Sequence, residues 1–151
     1  MAECYVGYGF YANKLDGAAL LSIVRHSADA EAFEEYMKEC DGAAPEEAVV
    51  DFVEDADSTA SYVAKAINAA EAALAKKAGI DLEGESVVET YDQFVVFSAL
   101  RFQEDEKRAA WIKSEADFQE MLLRHFPEGH VPATGSVWTG SDFVDANYWM
   151  D

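Results

Sequence analysis

From residue 29 to residue 57 the chain reads DAEAFEEYMKECDGAAPEEAVVDFVEDAD, which sets twelve carboxylates and one lysine, Lys38, among apolar residues spaced three and four apart. An unpaired carboxylate is too costly to bury, so this segment has to turn its apolar residues inward and its acids outward. That spacing does so as amphipathic helix. One helix is expected from about Asp29 to Cys40, with Ala30, Phe33, Met37 and Cys40 inward and Glu31, Glu34, Glu35 and Glu39 outward. Asp41 and Gly42 close it. Pro45 then suits the first turn of a second helix, with Val49, Phe52, Val53 and Ala56 inward and Glu47, Asp51, Glu54 and Asp55 outward. Asp57 ends the block.

Such helices repel themselves. Glu31 with Glu35, Glu35 with Glu39, Glu47 with Asp51 and Asp51 with Asp55 are like charges four residues apart. At about 0.2–0.5 kcal/mol per pair they cost on the order of 1–2 kcal/mol, out of a domain stability of about 5–15 kcal/mol. Glu34 with Lys38 is the one compensating pair that the spacing offers. A fold has no internal reason to keep that cost, so the acids point to a surface used for binding.

Elsewhere the pattern is mixed. The opening CYVGYGFYA alternates as a strand, and Leu15, Ala19, Ile23 and His26 suggest a short helix. Ser58 caps a longer helix carrying Val63, Ile67, Ala70 and Leu74, stopped by Lys76, Lys77 and Gly79. The period then becomes extended: SVVETY and FVVFSALRF read as strands, with QEDEK as a hairpin loop into RAAWIK. Ser114 and Asp117 box the start of a last helix bearing Phe118, Met121, Leu122 and His125, which Pro127 ends. A tail with the tandem TGSVW and TGSDF follows. These elements predict one α+β domain over residues 1–151, an antiparallel sheet of four to five strands with about five helices packed against it.

Half of the 151 residues are hydrophobic, enough to fill a core. No run of about 18 apolar residues and no basic-then-apolar start is present, so the expectation is a cytoplasmic protein without a membrane segment. Cys4 and Cys40 are expected as buried free thiols. The net charge of −19 is gathered in blocks, with 12 acids and 1 base in residues 27–57 and 8 and 1 in residues 81–106, against 1 and 3 in residues 58–80. That field repels nucleic acid and anionic membranes and draws in basic partners.

The candidate chemistries give way to structural readings. GYGFYA matches a dinucleotide-binding fingerprint through Gly7, Gly9 and Ala12, yet NKLDG follows where a helix should start. His125, Glu128 and His130 are metal-ligand types, but their spacing fits no zinc signature and His125 belongs to a helix end. DADSTA, from Asp55, lacks the glycine and the closing glutamate of a calcium loop. No G-x-S-x-G elbow is present. Neither cofactor nor catalytic residue is expected. Trp138, Phe143, Tyr148 and Trp149 in the tail suit either a cover for the sheet or an apolar contact for dimerisation.

Acids at i and i+4 stand about 5–6 Å apart, comparable with successive phosphates along a nucleic-acid strand, and two neighbouring helices present two such rows. In its size, single domain, lack of catalytic signature and clustered acid in EAFEEYMKEC and PEEAVVDFVEDAD, the chain resembles the phage- and plasmid-encoded DNA mimics that disable bacterial defence, the anti-CRISPR and anti-restriction proteins. The resemblance implies stoichiometric block of a basic, DNA-handling nuclease or CRISPR surveillance complex through Glu31, Glu34, Glu35, Glu39, Glu47, Asp51, Glu54, Asp55 and Asp57, in the host cytoplasm. An acidic adaptor for another basic protein is the alternative, with a small enzyme behind it. A mimic displaces DNA from its partner, an adaptor does not, and an enzyme needs a polar pocket.

Overall fold

The chain leaves β1 (Tyr5–Tyr11) through a single 3-10 turn (Ala12–Lys14) and enters four consecutive helices: α1 (Gly17–Arg25), α2 (Ala30–Glu39), α3 (Pro45–Ala56) and α4 (Thr59–Lys77). Two short strands, β2 (Glu89–Tyr91) and β3 (Val95–Ala99), precede α5 (Glu115–His125) and β4 (Gly135–Thr139). The structure is a computed structural model and describes residues 5–82, 86–91, 95–99 and 114–139. No helix among the described residues is long and apolar enough to cross a membrane.

Capping chemistry sets the helix ends. The Asp16 carboxylate accepts from the Ala19 N–H at 2.9 Å and starts α1; the Ser58 hydroxyl accepts from Ser61 and starts α4; Ser114 accepts from Asp117 and starts α5. Pro45 occupies the first turn of α3. At the end of α4, Gly79 takes a φ of 86° while Ile80 N–H bonds Ala75 and Gly79 N–H bonds Lys76, the paired bonds of a Schellman cap.

The expected α+β architecture is overturned: the described residues are mainly helical. Helices of 9, 10, 12, 19 and 11 residues stand against strands of 7, 3, 5 and 5. The strands pair antiparallel in the order β2-β3-β1-β4, but they are short and contribute little to the described core. Among the described side chains of the core, strands supply only Phe10 and Val96, while α1 alone supplies Ala19, Leu20, Leu21, Ile23 and Val24. The physical reason lies partly in Asn68 on α4. Its side-chain oxygen accepts from the N–H groups of Val87 and Val88, at 2.8 Å each, and its amide nitrogen donates to the Val88 carbonyl at 2.9 Å. SVVETY is apolar enough for a strand, yet its valines are spoken for by a helix side chain, and only Glu89–Tyr91 remain to pair.

Phe10 of β1 is fully buried and meets Phe126 edge-on at 5.9 Å and Phe118 at 6.5 Å, which brings α5 against the strand. α2 and α3 interlock through Phe33, Tyr36 and Phe52, whose ring centroids lie 5.2 to 6.4 Å apart. α1 comes so close to α3 that a Cβ built on Gly17 would stand 2.1 Å from the Glu46 carbonyl oxygen. Inward expectations also change: Ala56 is exposed, and Ala30, Met37, Phe52 and Cys40 are only half-buried, Cys40 at the C-cap of α2. The hairpin from QEDEK into RAAWIK, Cys4, and Phe143, Tyr148 and Trp149 lie outside the described residues.

Candidate functional site

The α2–α3 pair owes its shape to its inner faces. Phe33 is the one fully buried side chain of α2, and Ala48, Val49 and Val53 anchor α3 beneath it. Fixing those positions leaves Glu31, Glu34, Glu35 and Glu39 exposed on α2 and Glu47, Asp51, Glu54 and Asp55 exposed on α3, with Glu46 added at the N-terminal end. The α3 acids reach across to an aromatic residue of α2. Half-buried Tyr36, on α2, has its phenol pushed above its usual value first by the neighbouring Cys40 side chain, then by burial, and then by the charges of Asp51 and Asp55 on α3. Tyr36 and Phe52 thus form an aromatic seam with acids on both sides.

Lys38 does not pair as the spacing suggests. Its ammonium sits 3.0 Å from Glu35, three residues back, and not on Glu34; both side chains are more than seven-tenths exposed. An exposed pair of this kind is worth about 0.2–1 kcal/mol and leaves the face strongly negative. Asp57 departs from the rows. It is half-buried, one oxygen accepting from the Ser58 N–H at 2.8 Å and the other from Lys65 at 2.9 Å, and these bonds, Lys65 first, hold its carboxyl below the usual range. It serves the α3–α4 corner rather than the face.

His125, Glu128 and His130 do not converge. The His125 Nε2 lies 2.7 Å from Glu71 inside the core, whereas the exposed His130 Nδ1 lies 2.7 Å from Asp16 at the start of α1. Among the described residues no group of three or more metal-ligand types is assembled. Gly7 and Gly9 lie in β1, antiparallel to β3 and β4, so GYGFYA opens no strand-to-helix turn of the dinucleotide-binding kind.

Sequence reasoning missed one polar cluster. Glu71, on α4, has no exposed surface, yet its carboxylate accepts from both the guanidinium of Arg124 and the imidazole of His125 on α5. Its position was the available signal: Glu71 follows Val63 and Ile67 at intervals of four along the buried stripe of α4, where a carboxylate needs partners. The Ser22 hydroxyl donates to the His125 carbonyl at 2.7 Å, tying the same end of α5 to α1. No family model, curated protein or solved structure matches this chain.

Proposed function

We propose that this protein is a non-catalytic inhibitor whose α2–α3 face substitutes for a DNA backbone and occupies the DNA-binding groove of a bacterial defence nuclease or CRISPR surveillance complex, in the cytoplasm where that complex works. The observation that carries the reading is the pair of exposed carboxylate rows on two interlocked helices, with none of the nine acids named on them buried. A basic groove evolved for phosphates gains from these carboxylates the same counterion release it gains from DNA. Tyr36 and Phe52 between the rows offer an apolar centre on which arginine can stack.

The test is competition. The protein is titrated into a panel of CRISPR effector complexes and restriction enzymes with labelled target DNA, at low and high salt. The reading expects displacement of DNA from at least one complex, weakening steeply as salt rises, and loss of about ten-fold or more in potency when Glu31, Glu35, Asp51 and Asp55 become their amides. Capture of a basic partner without displacement of DNA would replace mimicry by the adaptor reading.

A further inference from the structure

A cleft of about 480 Å³ opens where the turn between α1 and α2, the corner between α3 and α4, and one side of α4 meet. That volume falls in the range of about 300–1,000 Å³ typical of small-molecule sites. Its apolar lining is made of methyl groups: Ala66, Ala69 and Ala70 on α4, faced by Ala28 and Ala56. Tyr62 is buried beside them, and its hydroxyl donates to Asp29 Oδ2 at 2.7 Å. Burial first and then the Asp29 bond push the phenol up to about 12, so it stays a donor and fixes the carboxylate in place. Asp29 Oδ1 accepts no hydrogen bond among the described residues.

On another part of the cleft stands Lys65, whose ammonium reaches Asp57 at 2.9 Å along a side chain 78% exposed. An exposed pair of this kind is weak, so the ammonium is free to swing to a better partner. The remaining charged candidate is the His26 imidazole, whose Nδ1 is already engaged with the Ser22 carbonyl at 2.8 Å.

These charges select among ligand classes. An anion alone meets Asp29, Asp57 and the field of a chain with net charge −19. A cation alone suits Asp29 but leaves the Lys65 ammonium no partner beyond its exposed pair with Asp57. A neutral apolar molecule covers the alanines but desolvates the charged rim without return. A molecule carrying both charges and an apolar side chain offers a partner to each group of the lining. We propose that the cleft binds a small zwitterion of the α-amino-acid type, its ammonium on Asp29, its carboxylate on Lys65 and its side chain against Ala66, Ala69 and Ala70. The proposal is independent of the α2–α3 face and of its partner.

Isothermal titration of the full chain with L-phenylalanine and L-leucine tests it, with phenethylamine, 3-phenylpropionate and N-acetylphenylalanine amide as analogues that lack one or both charges. Saturable 1:1 binding of at least one amino acid is expected, with the analogues weaker by about ten-fold or more. Asp29→Asn and Lys65→Met, both at exposed positions, should each weaken binding to a similar degree, and Ala69→Leu, which fills the cleft from an exposed helix position, should abolish it. The double change Glu35→Gln with Asp51→Asn should leave it unaltered. Absence of saturable binding by both amino acids, equal binding by the amine alone, or binding that survives Ala69→Leu would each overturn the assignment.

Discussion

Replacing Glu71 with alanine withdraws a carboxylate that Arg124 and His125 both address inside the core. Breaking a buried pair costs about 3–5 kcal/mol, and the lower end is expected here because the Arg124 side chain is 36% exposed and regains water. Urea denaturation measures it; a loss below about 1 kcal/mol would mean that the cluster is worth no more than a surface pair. That Glu71 must be inside was legible from its place on the stripe, but its partners, 53 and 54 residues further on, were not, because helical periodicity says which face is buried and not what lies opposite. Asp16 supplies the pH dependence. The Ala19 N–H first and His130 second hold its carboxyl below the usual range, so its contribution is complete above the unfolded carboxylate value and disappears as pH falls through the native one. Asp16→Asn should therefore be less stable than the parent at neutral pH, with the difference closing in acid. Denaturation curves across that range would show it.

At the scale of elements, α1 and α3 meet with no room for a methyl group. Gly17→Ala improves intrinsic helix propensity, by about 1 kcal/mol, yet the new Cβ would press on the Glu46 carbonyl, so a net loss of about 1–3 kcal/mol is expected from chemical denaturation. Gain instead of loss would show that the helices separate freely. The helical stretches were readable because their signals are local: Ser58, Pro45, Ser114 and Gly79 stand at the ends the sequence assigns them, and Phe118, Met121, Leu122 and His125 are buried as their spacing requires. The strands were over-read for a complementary reason. Val87 and Val88 look like strand residues, and the side chain that holds them outside the sheet is Asn68, 19 and 20 residues earlier on α4. The acidic rows were also local: once Phe33, Val49 and Val53 face inward, the outward positions of Glu31, Glu35, Asp51 and Asp55 follow.

For the molecule as a whole, a net charge of −19 should make stability depend on ionic strength. Added salt shortens the screening length from about 30 Å at 0.01 M to about 8 Å at 0.15 M, which relieves repulsion along and between the rows of α2 and α3. The melting temperature should climb over that interval, and by less once Glu31, Glu35, Asp51 and Asp55 are amides; a flat profile for the parent would show that the rows do not strain the fold. The order of the strands bears on synthesis. β1 is made first but lies between β3 and β4, pairing Tyr11 with Val95 and Tyr5 with Thr139. At about 5–20 residues per second, translation takes on the order of ten seconds to travel from one side of that pairing to the other. A nascent chain emerging from the ribosome therefore carries a strand with both edges open after α1 to α4 have been made, and an open edge of the kind that invites foreign pairing lies at the segment that ends up in the middle of its sheet.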